Sequence, residues 1–436
     1  MSLQRIIEKG YGRVKIKIYG GSYEIGGNCI VIQDGDKKIV FDNGIRFSTL
    51  RKYYGGRIEP SGPQELRSIG AVPPAEVFSE ATAVYISHFH LDHVGLLSAI
   101  PPGINIKVPS TGILEKTLSS WYKSSGSWLA YIPPDYGAKV EEIQPRVEDE
   151  NGVIAIPVSH SCYPAYSFLY RGSDTIVFYS GDLRVEPLTN ILGHLDLLQG
   201  VDSLGLDSVD VALIEGTNFS TDHMLMTPTF FREHISLLLK EYGFVSISID
   251  PLDLEAFMAI LDSSILMERG LVIGSERLLW MVKELERTGS KTLENMYIVE
   301  ELEAPTPVGL EVTSLTRDVL KRPQEYTVII EPMGLLKILR RLKVWGEAPD
   351  LVSSVLVLTD PEPRESIKEV EEEALRAWLR IFGVQTYRVR FSGHYLPHQF
   401  PYIIERVKPR ELIPIHTEEP NTMIRLFKKV REAKQP

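Results

Sequence analysis

The chain has 436 residues, 43% hydrophobic and 24% charged, with a formal net charge of −11. That length is more than one small core needs and predicts two domains of ordinary globular composition. The acidic balance excludes a protein that binds nucleic acid by blanket positive charge, and no apolar run reaches the roughly 20 residues of a membrane-crossing helix.

In chain order, residues 14–19 alternate apolar and polar, Gly20 and Gly21 break the pattern, and residues 29–32 resume it. Asp34-Gly35 signals a hairpin into residues 38–42, an apolar strand that ends on Asp42 before Asn43-Gly44. Residues 83–86, 153–156 and 175–179 continue a β-rich stretch. From about residue 206 the rhythm changes: strand-like runs at 211–214, 244–249, 271–273, 327–330 and 355–358 alternate with helical patterns at 254–267, 276–287, 335–343 and 367–381. That alternation predicts a parallel sheet with crossover helices. A last piece reads strand (386–391), helix (400–407), strand (412–415), helix (422–433), and no internal repeat or low-complexity linker is visible. Two cysteines, Cys29 and Cys162, make no disulfide framework. With no signal-peptide pattern at the N-terminus, a reducing cytoplasm is the expected setting.

The densest chemistry is Ser87-His88-Phe89-His90-Leu91-Asp92-His93-Val94-Gly95, directly after the apolar run 83–86. Alternate side chains of a strand point to opposite faces, so His88, His90, Asp92 and His93 cannot meet one ion from a strand. A loop folding at the strand end allows it, with His88 and His90 facing one ion and Asp92 and His93 a second. Imidazole with carboxylate suits Zn²⁺, and Mn²⁺ less tightly. His160 and Asp182 each follow an apolar strand. Either alone is a weak signal; taken with residues 88–93, His160 completes the first ion and Asp182 bridges both.

The order strand-end Asp42, H-x-H-x-D-H at 88–93, lone His160 and then Asp182 resembles the metallo-β-lactamase superfamily. The resemblance makes Asp42 an anchor for the metal loop; without it, a turn residue before Gly44 reads equally well. Further on, Ile214-Glu215-Gly216-Thr217, Phe391-Ser392-Gly393-His394 and Ile413-Pro414-Ile415-His416-Thr417-Glu418 look like motifs A, B and C of the β-CASP subgroup, in their proper order. The fold implied is α/β: a four-layer αβ/βα sandwich with an inserted Rossmann-like β-CASP domain. The domains would run 1–205 (metallo-β-lactamase, first part), 206–385 (β-CASP) and 386–436 (metallo-β-lactamase, C-terminal part).

By the same resemblance, His88, His90, Asp92, His93, His160, Asp182 and His416 would hold two Zn²⁺, with Mn²⁺ an alternative. Asp92, His394 and Glu215 form the catalytic set: His394 serves the scissile phosphate and Glu215 orients its ring. Ser392, Gly393 and Tyr395 are candidate substrate contacts. Tyr395 departs from the small residue usual at that point, and a bulky ring there would narrow the phosphate site or stack on a base. The activity implied is hydrolysis of RNA phosphodiester bonds by a dinuclear zinc-bound hydroxide, similar to ribonuclease J-like and mRNA 3′-end-processing-like ribonucleases, with a homodimer expected. Two other classes stay open: a small-molecule metallo-hydrolase of lactonase or glyoxalase type, and an inactive β-CASP scaffold in an RNA-processing complex. Residues 359–366 are a further candidate loop, equally readable as an ordinary helix cap.

Overall fold

The computed structural model describes residues 6–55, 58–118, 139–189, 201–221, 226–287, 292–302, 310–344, 346, 351, 353–359, 366–389 and 391–433. The chain divides into two compact units, residues 1–224 with 393–436, and residues 225–392.

The first unit holds two sheets. A seven-stranded sheet runs in simple order through β1 (Ile7–Tyr11), β2 (Val14–Gly20), β3 (Cys29–Asp34), β4 (Lys37–Phe41), β5 (Ala83–Tyr85), β6 (Asn105–Val108) and β7 (Lys139–Glu142). The second has the order β19 (Pro409–Ile415), β11 (Val209–Glu215), β10 (Ile176–Tyr179), β9 (Ala165–Arg171), β8 (Val153–Val158). Their inner faces share one core: Ile16, Ile30, Phe41 and Tyr85 of the first meet Phe168, Tyr179, Leu213 and Ile413 of the second. Phe41 stacks on both Phe168 and Tyr179, with centroids 5.1 and 5.4 Å apart. The outer face of the second sheet is covered by helices Phe400–Val407 and Pro420–Glu432 through Phe400, Ile403, Met423 and Phe427. A further cluster built on Ile45, Leu50, Tyr54 and Leu66 packs the helices Phe47–Tyr54 and Pro63–Ser68. The αβ/βα layering expected from the sequence is present.

The second unit is one all-parallel sheet of order β15 (Glu311–Thr313), β14 (Met296–Val299), β13 (Gly270–Ile273), β16 (Tyr326–Ile329), β12 (Phe244–Ser248), β17 (Ser354–Leu358), β18 (Val384–Arg388). Its central strands β12 and β17 are buried at every residue, as a parallel sheet with helices on both faces requires. The helices start where the chain supplies caps. Thr227 accepts from the Phe230 amide with Pro228 at the first turn of Pro228–Glu241, and Asp253 accepts from the Ala256 amide ahead of Leu254–Leu266.

Two assignments made by position differ from the structure. Residues 206–224 belong to the first unit, because β11 lies between β10 and β19 and pairs in parallel with both. The strand expected at 386–391 is β18, which pairs in parallel with β17 and therefore closes the second unit's sheet. Strand β9 was not legible beforehand: it is buried from Ala165 to Tyr170 and lacks a two-residue alternation. Residues 360–365 of the candidate loop lie outside the described residues.

Candidate metal centre

The motif residues follow the ends of different strands. Asp42 comes after β4, His88 to His93 after β5, His160 after β8, Asp182 after β10, Glu215 ends β11, and His416 comes after β19. β4 and β5 are parallel, as are β10, β11 and β19, and β8 runs parallel to β10 through the antiparallel β9. All these side chains therefore emerge at carboxyl ends of strands, where α/β sheets place ligand sites.

The structure brings the expected ligands together. His88, His90 and His160 offer nitrogen atoms within 4.8 Å of one another, and so do the ligand atoms of Asp92, His93 and His416. Asp182 belongs to three further such groups, with His88 and His93, with His160 and His394, and with Glu215 and His416. Its Oδ2 lies 3.1 Å from His93 Nε2 and 3.9 Å from both His88 Nε2 and His160 Nε2. His416 Nδ1 is 2.7 Å from Asp182 Oδ1, and its Nε2 is 3.3 Å from Asp92 Oδ2. Asp182 thus sits between the two triads.

The donor set fits divalent cations. The Nε2 atom of His88 is buried and makes no hydrogen bond, a costly state that a cation would relieve. Burial, reinforced by neighbouring imidazoles, holds His88 well below the ordinary histidine value, and burial with His90 does the same for His160. Both rings are therefore neutral, the form that ligates metal. In the other half, burial opposes protonation of His93, but Asp182 and Asp42 push it well above the usual range. Burial would raise Asp182, yet His416, His93 and His394 hold it well below the carboxylate range. Protons on these imidazoles occupy the electrostatic place that a cation would take.

Asp42 anchors the loop. Its Oδ1 accepts from the Ser87 amide at 2.7 Å. Oδ2 accepts from Ser87 Oγ at 2.8 Å, from His93 Nδ1 at 2.7 Å and from the Tyr179 hydroxyl at 2.5 Å. Binding at Nδ1 aims Nε2 of His93 into the cluster. Sequence reasoning passed over Ser87, Tyr179 and Asn28, whose amide donates to the Tyr179 hydroxyl at 3.1 Å. It also read Gly44 only as a turn marker. A Cβ on Gly44 would lie 1.8 Å from the Asp92 carbonyl oxygen, so glycine is what lets the helix Leu91–Val94 seat against this turn.

Glu215 and His394 meet as expected, with His394 Nδ1 3.0 Å from Glu215 Oε1. The Glu215 carboxylate is wholly buried and also accepts from the Thr217 amide and hydroxyl, at 3.0 and 2.8 Å. The His394 side chain is 18% exposed. The neighbouring candidates for substrate contact do not share that exposure. Tyr395 is 2% exposed and packs with Phe400 and Ile403 in the core of the second sheet, so its ring cannot stack on a base. Ser392 is buried, and the Gly393 carbonyl accepts from His160 Nδ1 at 2.6 Å.

A family model described as the metallo-beta-lactamase superfamily matches residues 23–191. The chain carries a metallo-beta-lactamase domain. Beyond it, similarity extends over both units: ribonuclease J of Pyrococcus abyssi is 22% identical over 422 residues, covering 93% of this chain and 90% of that protein. Ribonuclease J of Mycolicibacterium smegmatis is 22% identical over 423 residues, covering 93% of this chain and 69% of its own length. RNase aCSPSF2 of Saccharolobus solfataricus is 30% identical over 121 residues, 27% of this chain and 21% of that one. A solved structure described as a protein of unknown function from Enterococcus faecalis V583 shares the fold, with a TM-score of 0.71 at 19% identity over 94% of this chain and 95% of its own. The His/Asp cluster, drawn largely from within that domain, is compatible with metal binding. Among the described residues no helix is long and apolar enough to cross a membrane.

Proposed function

We propose that this chain is a metal-dependent ribonuclease of β-CASP type, hydrolysing RNA phosphodiester bonds at a centre for two divalent cations, zinc first among them. The observation that carries the reading is the Glu215–His394 pair set beside Asp182, within the same group of side chains as the two ligand triads. A small-ester hydrolase has no need of that pair. The similarity to ribonuclease J across 93% of the chain supports an RNA substrate.

His88, His90 and His160 would hold one cation, Asp92, His93 and His416 the other, with Asp182 shared. When bound, such a pair lowers the pKa of water to about 7 and offsets negative charge developing on phosphate oxygens. The residues of the chain do the rest. Glu215 occupies Nδ1 of His394, so Nε2 is the atom that would face a phosphate oxygen or give a proton to the leaving oxygen. Full burial of Glu215 keeps water from competing for that bond. The buried, unbridged Cys29 and Cys162 suit the cytoplasm, and a homodimer remains part of the reading, checked by light scattering.

The test is direct. Purified protein with Zn²⁺ or Mn²⁺ is given end-labelled RNA carrying a 5′-monophosphate or 5′-triphosphate, beside His88→Ala. Cleavage that needs both the metal and His88 supports the reading; a ladder dependent on monophosphate means exonuclease, and discrete internal cuts mean endonuclease. Silence on RNA together with rapid turnover of small esters would overturn it.

A further inference from the structure

Resting on the ribonuclease reading, we propose that Tyr395 and Asn218 are positioning residues that brace His394 from behind. The brace can be followed bond by bond. Two of the bonds to Glu215 come from this segment: its carboxylate meets His394 Nδ1 at 3.0 Å, and its backbone carbonyl accepts from the Tyr395 hydroxyl at 2.5 Å. Asn218 Nδ2 donates to the carbonyl oxygens of His394, at 3.2 Å, and Tyr395, at 2.9 Å. The Tyr395 amide donates to the Leu183 carbonyl at 2.7 Å, while the Leu183 amide donates back to Glu215 Oε1 at 3.3 Å.

The segment is also pinned on its metal side. The Gly393 carbonyl accepts from His160 Nδ1 at 2.6 Å. A Cβ there would come within 3.0 Å of His160 Cε1 and closer still to Ser161, so only glycine lets the peptide approach this ring. His394 therefore sits on a three-residue bridge, with a metal-ligand candidate before it and a core tyrosine after it.

The Tyr395 ring supplies the rigidity. It is 2% exposed, stacks with Phe400 at a centroid distance of 6.4 Å and meets Phe219 edge-on at 6.3 Å. A packed ring whose hydroxyl reaches back to β11 sets the distance between the 393–395 segment and Glu215. Displacement of a catalytic group by about 1 Å can cost on the order of 100-fold in rate. The brace thus acts on the reaction without touching substrate.

Two variants test it. Tyr395→Phe keeps the ring and removes only the hydroxyl; Asn218→Ala removes the other support and leaves the ring alone, so it carries the test if Tyr395→Phe does not fold. Each is assayed with Mn²⁺ on a short single-stranded RNA bearing a 5′-monophosphate, beside metal content per chain and ¹⁵N-histidine NMR of the Zn²⁺-loaded protein, with His394 assigned through His394→Gln. The expected result is a fall in kcat of about 10-fold with KM held within about twofold. Metal content stays unchanged, and the His394 ring signal moves while those of the other histidines stay. An unmoved His394 signal, an unchanged kcat, or a kcat loss matched by metal loss overturns the proposal. If the unmodified protein cuts no RNA, the functional reading fails by itself, and the NMR shift still decides whether the brace exists.

Discussion

Asp42 Oδ2 and His93 Nδ1 lie 2.7 Å apart at positions that are both completely buried. The same oxygen accepts from Ser87 Oγ and Tyr179, so one atom orients an imidazole, the loop before it and a core strand. Partners of this kind typically contribute a factor of about 10–100 in metal affinity. Asp42→Asn should weaken cation binding by that order, measured by competition with a chromophoric chelator. Unchanged affinity would mean that packing alone aims the ring of His93.

The Glu215–His394 pair makes the opposite prediction about metal. His394→Ala and Glu215→Gln should each lower kcat on RNA by roughly 10²–10⁴-fold, the range for a positioned acid or base, while both cations stay bound. Metal analysis beside steady-state kinetics reads the two quantities separately. Loss of metal in either variant would move the pair from the chemistry into the cation cage.

Cations held by a folded cluster and not by the unfolded chain stabilise the fold by mass action, by about 2.7 kcal/mol at 100 times the dissociation constant. Chelation should therefore lower the thermal midpoint, and Zn²⁺ or Mn²⁺ should restore it in a concentration-dependent way. Calorimetry on His88→Ala is the control, and an equal response in that variant would speak against binding at this centre.

Acid sensitivity has a separate source in Asp149, which is in none of the ligand groups. Burial would raise Asp149, but the Tyr85 hydroxyl at 2.6 Å, the Val153 amide at 3.0 Å and the Lys107 ammonium at 3.1 Å hold its carboxyl below the ordinary value. A folded pKa below the unfolded one, about 3.9, contributes stability that is complete above that pH. It is lost as pH falls through the folded value. Denaturation followed from pH 6 downward should show the wild type losing stability more steeply below about pH 4 than Asp149→Asn. Parallel curves would refute the assignment.

Much of the centre was legible in the chain because ligand chemistry is local. Four donor residues within six positions after an apolar strand leave few alternatives, and His160, Asp182 and His416 each follow a strand of their own. The supporting groups were not legible. Ser87, Asn28 and Tyr179 are ordinary residues until folding puts them around Asp42. Tyr395 shows the same limit from the other side: its position beside His394 suggested a ring facing substrate, and the packing turns it into the core.

Periodicity by itself determined the parallel second unit, because it depends on strand–helix alternation, and donor type singled out residues 88–93; the αβ/βα layering and the part of His416 in the ligand set came from the family resemblance of the motifs. Only the tertiary structure decided which unit owns β11 and β18, since a strand's sheet is chosen by pairing partners that lie far away in the chain. It also decided that Asp182 lies between two triads, because the distance between residues 92, 182 and 416 is set by three strand ends meeting in space. Spacing along the chain does not contain that distance.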